Sequence, residues 1–247
     1  VDAPAPLDEV LERLPARAAD ADHFEFYWHP HTDVALTKTQ TRLPESATRS
    51  PRPAVGRWVD EQVLSNGVFG AFCAVSRVAP AVIPPFNRLA VRLTGDAAYS
   101  DQSHRVLIHS RRVRFREMEY ALPIDVVVPA FQAVRLLIAE RGWKIEFPIE
   151  VRFAQADDLW MSTASGRDSA YIAVHRYAGV NPTEYFDAVE QIMLEHGGRP
   201  HWGKLHGLDA EQLRARYPRY DDFVALRDKL DPERVFGNRH LERILGA

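Results

Sequence analysis

The chain has 247 residues, 46% of them hydrophobic, and 31 Lys and Arg against 34 Asp and Glu give a formal net charge of −3. That length suits one large domain or two small ones with a sizeable core, and the charge argues against a global basic field for nucleic acid. No apolar run reaches the ~18 residues of a membrane span, and a lone Cys73 excludes an internal disulfide.

Val1 to Pro6 has neither the basic start nor the apolar core of a signal peptide, and the first residue is not methionine, so a fragment or a trimmed chain is expected. Leu7 to Ala18 has helical spacing, with Leu7, Val10, Leu11 and Leu14 on one side and a break at Pro15. His23 to Trp28 alternates Phe24, Phe26 and Trp28 with polar neighbours and predicts a strand. His29 to Asp33 is then a turn and Val34 to Arg42 the partner strand. Leu43 to Gly56, with three prolines, predicts a loop.

Arg57 to Arg77 has helical apolar spacing at Trp58, Val63, Val68 and Phe72. Core packing is the expected use of that face, with oligomerisation or membrane contact as the alternatives. Cys73 in this stretch is expected to be a small core residue. Pro84-Pro85 is expected to interrupt, before a helix over Phe86 to Leu93 and a loop to Ser103. Val106 to Glu119 predicts a strand bent near Ser110, and its run Arg111-Arg-Val-Arg-Phe-Arg116 reads as one polar strand face.

Ile124 to Arg141 predicts a long helix despite Pro129, stopped at Gly142. Lys144 to Phe153 is the clearest strand pattern, with Lys144, Glu146, Glu150 and Arg152 on its polar face. Asp157 to Ser169 predicts a loop. Ser169 to Tyr177 predicts a strand with Tyr171, Ala173, His175 and Tyr177 on one side. A helix capped by Asn181 or Thr183 follows, then helices near Asp209–Arg216 and Asp221–Leu230. Strands in groups, without a steady βαβ alternation, predict an α+β fold: a mostly antiparallel sheet with helices packed on one face. No glycine-rich dinucleotide or nucleotide phosphate motif is present.

Two strings carry the candidate chemistry. Arg199-Pro-His-Trp-Gly-Lys204 follows a helix ending at Gly197-Gly198. It places His201, Trp202 and Lys204 on a short turn, with Gly203 expected to allow close backbone approach. In Pro148-Ile-Glu-Val-Arg-Phe153, Glu150 and Arg152 stand two apart on a strand and share a face. Together they suggest a polar pocket for a hydroxylated, uncharged or weakly charged small molecule. The plainer alternative is a surface ion pair worth under about 1 kcal/mol. Glu117 and Glu119 are read as structural or pocket-lining, and His175 beside two tyrosines as structural or a rival proton acceptor. The spacings of His29 and His31, and of His196, His201 and His206, match no zinc motif, so no metal site is expected.

Several strings in order, His23-Phe-Glu-Phe-Tyr-Trp-His-Pro30, Arg116-Glu-Met-Glu-Tyr120, Glu150-Val-Arg152, His201-Trp-Gly-Lys204 and Leu230-Asp-Pro232 with Phe236 and Asn238, span nearly the whole chain. The chain thereby resembles the C-terminal substrate (cap) domain of the aldonolactone oxidoreductases, flavoproteins of the vanillyl-alcohol-oxidase type. The family includes D-arabinono-1,4-lactone oxidase and L-gulono-1,4-lactone oxidase or dehydrogenase, with alditol oxidase as a relative.

The resemblance implies that residues 1–247 form a substrate domain with a C-terminal returning segment, partnered by an N-terminal FAD-binding domain absent from this chain. The implied substrate is a sugar lactone or polyol, and FAD takes the hydride. Glu150, Arg152 and Lys204 are the implied catalytic residues and would converge on one ligand. Lys204 would act as electrostatic stabiliser first and base second. His175 and His201 would join them in binding substrate, and His201 and Asn238 would face the cofactor. A cytoplasmic location is expected, with membrane association as an alternative that the residues do not indicate, and no nucleic-acid partner.

Overall fold

The computed structural model describes residues 1–246, and the chain divides into two compact units. The first comprises Val1–Glu117, Arg135–Arg152 and Val174–Pro182; the second comprises Met118–Val134, Phe153–Ala173 and Thr183–Ala247. The fold is α+β.

In the first unit, β1 (Asp2–Pro6) pairs antiparallel with β3 (Val34–Gln40), β3 with β2 (His23–Trp28), and β2 with β5 (Ile149–Ala154). Phe24, Phe26 and Trp28 are buried as their alternation required. Between β1 and β2 lie α1 (Leu7–Glu12) and α2 (Leu14–Ala19), which bury Leu7, Val10, Leu11 and Leu14. Pro15 falls in the first turn of α2, where its missing N–H has no helical partner to lose, so the helix restarts there. The turn after β2 is closed by Trp28 Nε1 donating to Thr32 O (2.8 Å) and Thr32 Oγ1 donating to His29 O (2.7 Å). The buried Asn87 amide donates to both Pro30 O and Ile145 O.

The middle of this unit departs from the sequence reading. One helical run covers α3 (Ala54–Trp58), a π-helical stretch Val59–Val68 and α4 (Phe69–Ser76). Only its end enters the core, where Phe72 and Cys73 join Ile83 and Phe147 and Phe72 stacks on Phe86 at 3.6 Å. The expected core packing of the whole stretch fails, because no residue of 54–68 is buried. Burial, with Glu146 nearby, pushes the Cys73 thiol up to about 12. Pro84 and Pro85 do not interrupt: they sit in the first turn of α5 (Ile83–Leu93).

The strand expected over Val106 to Glu119 is replaced by α6 (Ser103–Leu107) and an irregular segment, and β4 (Phe115–Pro123) begins only at Phe115. Asn66 explains this, since its side chain donates to Ser110 O and accepts from Arg112 N, taking backbone groups that a ladder would use. Likewise β5 starts at Ile149 and not at Lys144. Pro148 has no N–H for the ladder, and the buried Glu146 accepts Tyr177 N–H (2.7 Å) and pairs with Arg176.

In the second unit, Met118 to Leu122 of β4 are buried without alternation, so this stretch is covered on both sides. β4 pairs antiparallel with the two-residue β7 (Arg199–Pro200). A 3₁₀ turn leads into α7 (Val127–Glu140), whose first turn tolerates Pro129. β6 (Ser169–Tyr177) matches its expected bounds. After α8 (Thr183–Glu195), Gly198 N–H bonds Met193 O and Gly197 N–H bonds Leu194 O, a left-handed glycine cap with Gly197 at φ 69°. A Cβ on Gly198 would stand 2.6 Å from Met193 O. The chain ends in α9 (Ala210–Arg214), opened by an Asp209/Gln212 capping box, α10 (Tyr220–Leu230) and α11 (Arg239–Leu245), capped by Asn238. The sheet order is β1-β3-β2-β5-β6-β4-β7.

Burial holds His29 down to about 4. A depressed histidine leaves the folded state with fewer bound protons than the unfolded one, so its stability contribution is present above about 6.5 and is lost as pH falls towards 4. Urea midpoints measured across that range should therefore drop with acid, and His29→Asn should flatten the drop by up to about 3 kcal/mol.

Candidate active site

The first unit places Glu150 and Arg152 as the strand spacing implied, but not on an open face. The Glu150 side chain is 4% exposed and Arg152 Nε lies 2.9 Å from its Oε1, while the Arg152 side chain stays 42% exposed. A carboxylate removed from water needs donors, and β2 supplies one. Tyr27 stands opposite Glu150 in the ladder, and its hydroxyl donates to Oε1 at 2.8 Å. The row continues through Glu25, 3.2 Å from the Tyr27 hydroxyl and 3.4 Å from Lys38 Nζ. Burial, then Glu150 and Glu25, raises the Tyr27 phenol well above its usual range, so it remains a donor. Glu150 is thus fixed from two sides, and the guanidinium beside it reaches towards solvent.

His175 lies in the same unit and is 5% exposed. Its Nδ1 is 3.2 Å from Pro148 O, and its Nε2 is 3.2 Å from Glu117 Oε1. A carbonyl only accepts, so Nδ1 carries a proton. Nε2 faces the Glu117 carboxylate. Phe115 and Phe147 flank the ring. His175 is therefore a fixed donor within a pair, which weakens its case as an open proton acceptor.

The second unit holds the other string. Its two-residue strand was not foreseen, and it explains the turn: His201 N–H extends the β4 pairing by donating to Glu119 O at 2.9 Å. Lys204 N–H donates to His201 O at 3.1 Å, and the Lys204 ammonium pairs with the Glu119 carboxylate. Glu119 is 4% exposed and thus engages the turn through both main chain and side chain. Gly203 N–H donates to His201 Nδ1 (3.1 Å), which assigns the histidine proton to Nε2. The glycine is used for this bond; a Cβ there would meet only the His201 ring, at ordinary contact distance.

Three further side chains position the turn. Trp202 Nε1 donates to Met161 O at 2.9 Å, and its ring packs on Tyr217. Arg199, buried, donates to Arg216 O, Thr163 O and Ser165 O. Glu190 Oε1 accepts both the Tyr120 hydroxyl (2.5 Å) and Gly207 N–H (2.8 Å). Asn238 Oδ1 accepts from Leu241 N, so its side-chain oxygen is used as a helix cap. Both ring nitrogens of His206 are buried with no hydrogen-bond partner among the described residues. Burial, then Arg243 and His240, holds that ring down to about 4.

Sequence reasoning named Glu150, Arg152, Lys204, His175 and His201, but missed Tyr27 as a carboxylate donor and Arg199 and Glu190 as anchors. It left Glu119 without its lysine. The repeated Glu117-Met-Glu119 alternation was the available signal, but its partners follow only from strand pairing.

The fold is shared with solved structures of cholesterol oxidase. Cholesterol oxidase from Brevibacterium sterolicum aligns with a TM-score of 0.71 and 17% identity over 99% of this chain and 59% of its own, a likeness of fold alone. Residues 1–244 match the family model described as D-arabinono-1,4-lactone oxidase, and the chain belongs to that family. L-gulono-1,4-lactone dehydrogenase of Mycobacterium tuberculosis is 46% identical over 97% of this chain and 55% of its own length. L-gulonolactone oxidase of Scyliorhinus torazame is 30% identical over 97% and 55%. The chain thus spans about half the length of the curated relatives it matches.

Arg199→Ala would leave three part-buried carbonyls without their charged donor. It should lower the urea-derived stability by about 2–4 kcal/mol, whereas Arg219→Ala, an exposed pair with Asp222, should change it by less than about 1 kcal/mol.

Proposed function

We propose that this chain is the substrate-binding half of an FAD-dependent oxidoreductase that oxidises a sugar 1,4-lactone, such as an L-gulono- or D-arabinono-lactone. A flavin-binding domain elsewhere in the polypeptide is its partner. The observation that carries the proposal is the Tyr27–Glu150–Arg152 group: a buried, oriented acceptor beside a half-exposed planar donor, which suits vicinal hydroxyls and a lactone oxygen. Family membership supports the same reading.

The cofactor fits what the chain offers. The orphaned ring nitrogens of His206, two residues from Lys204, are polar atoms in need of a ligand, and His201 presents an Nε2 donor. These two residues, with the amide nitrogen of Asn238, are the groups we assign to FAD. When bound, FAD accepts the hydride from the carbon bearing the reacting hydroxyl.

The remaining work belongs to side chains. Glu150 accepts hydrogen bonds from substrate hydroxyls and Arg152 donates two from its fork, which fixes one C–H bond in orientation. Lys204 is assigned to the oxygen that loses its proton, and that proton passes to the paired Glu119 carboxylate as the hydride leaves carbon. Held as the cationic half of its pair with Glu119, it stabilises the developing negative charge, an effect worth a few kcal/mol. Glu117 and His175, in contact with each other, are assigned to the substrate side.

The complete flavin-loaded polypeptide provides the test. Glu150→Gln and Arg152→Ala should each raise KM for the lactone by at least about tenfold. Lys204→Ala should slow anaerobic flavin bleaching by roughly 10²-fold at saturating lactone. Unchanged bleaching and KM in all three would reject the assignment. Higher kcat/KM for alditols than for lactones would move the substrate to the polyol class.

A further inference from the structure

One lateral row of charge crosses the polar face of the sheet in the first unit. The register sets Asp2 opposite Lys38, Lys38 opposite Glu25 and Glu25 opposite Arg152, so β1, β3, β2 and β5 carry alternating signs that sum to zero. Neighbouring strands lie about 4.8 Å apart, which puts the backbone at Lys38 roughly 10 Å across the sheet from that at Arg152. Tyr27, in the next row, joins the two acids. Its hydroxyl lies 2.8 Å from Glu150 Oε1 and 3.2 Å from Glu25 Oε1.

The middle of this row is held loosely. A phenol has one proton, and the shorter bond commits it to Glu150, so Glu25 keeps the weaker contact. Lys38 Nζ lies 3.4 Å from the same Glu25 oxygen, longer than the ~2.7–2.9 Å of a fully formed charged hydrogen bond. The ammonium also stands 4.9 Å from the centre of the Tyr27 ring, which keeps it on this face. The Glu25 and Lys38 side chains are 20% and 26% exposed, so a small molecule can reach them. Segment 109–111 lies beside them. Arg111 opposes the rise of the Tyr27 phenol that burial, Glu150 and Glu25 produce, and burial with Lys38 holds His109 below its ordinary value. His109 is in turn 3.9 Å from Glu61.

We propose that Glu25 and Lys38 form a second hydroxyl-binding subsite, which takes the part of the substrate that extends past Glu150 and Arg152. This assignment rests on the lactone-oxidising function proposed for the site. A hydroxyl placed between the two side chains accepts from the ammonium and donates to the carboxylate, replacing one long contact with two bonds of ordinary length. The ring of an aldono-1,4-lactone engages Glu150 and Arg152, and its exocyclic carbons carry the hydroxyls that the subsite reads. Because the signs along the row cancel, an uncharged polyol suits it and a sugar acid gains no net attraction. A cross-strand ion pair that only supports the sheet would contribute to folding without discriminating among lactones.

The complete flavin-loaded polypeptide is tested with a six-carbon aldono-1,4-lactone, which has an exocyclic diol, and with a four-carbon one, which has no exocyclic carbon. Turnover with a dye as electron acceptor gives kcat and KM for each. Glu25→Gln and Lys38→Met should each cut the kcat/KM preference for the six-carbon lactone by at least about tenfold, chiefly through its KM, because each removes a charged partner of a substrate hydroxyl. Lys38→Arg, which keeps a cationic donor, should recover most of that preference. Glu25→Asp keeps the charge but draws it back, and should show the same selective loss if the glutamine variant does not fold.

An unchanged preference in these variants would overturn the subsite and leave the lactone-oxidising function standing. Equal losses on the two lactones would overturn it as well, since they report a structural role. Inhibition by a six-carbon aldonate at concentrations below the KM of the lactone, abolished in Lys38→Met, would assign this face to an anion and reject the polyol. If no aldonolactone reduces the flavin of the unaltered polypeptide, the function proposed for the site fails and the subsite fails with it.

Discussion

A carboxylate taken almost wholly out of water must find compensation, and in this chain Glu119 finds it in Lys204, 85 positions away. That single requirement organises the second unit. The same residue's carbonyl receives the His201 amide, so the turn is bound to β4 by its backbone as well as by its lysine. The left-handed glycine after α8 and the bare Gly198 bring the chain back close enough for both bonds. Arg199 and Trp202 then fasten the turn to the 157–165 loop through carbonyl groups. Replacing only one member of a buried pair is costly because the survivor keeps its charge without its partner. The position of the lysine is therefore built into the stability of the fold.

The first unit meets the same problem differently. Glu150 is satisfied by a phenol and a neighbouring guanidinium, and only the guanidinium extends to solvent. The arrangement holds an acceptor rigid while its companion donor remains able to rearrange around a ligand. Glu146 repeats the pattern, buried and answered by Arg176, and the part-buried Glu117 is answered by His175. Buried acids here act as fixed points from which basic residues are presented, an economical way to hold polar side chains to within fractions of an ångström.

The sequence made some of this legible. Phe24, Phe26 and Trp28 declared β2, and β6 was readable to its ends, because strand alternation against a core leaves a two-residue period. Glu150 and Arg152 were readable as a pair for the same reason. Where local side chains compete with the ladder, the pattern misleads. Asn66 captures the backbone at Ser110 and Arg112, and Glu146 captures that of Tyr177, so two strands that alternate well in sequence begin several residues late. The apolar spacing of Trp58 to Val68 looked like a core face, yet those residues are exposed, since hydrophobic periodicity reports a stripe and not what covers it. Tyr27 and Glu119 were missed as partners because register and long-range pairing are tertiary facts.

One oxygen atom at Glu190 receives two donors, the Tyr120 hydroxyl from the middle of β4 and the Gly207 amide just past the lysine turn. A shared acceptor couples the lifetimes of its bonds, because a rotation of the carboxylate that frees one donor frees the other. Fluctuations of the segment beyond Lys204 and of the β4 phenol should accordingly form one cooperative opening. Breathing in this part of the molecule is then a concerted event set by the helix that carries Glu190.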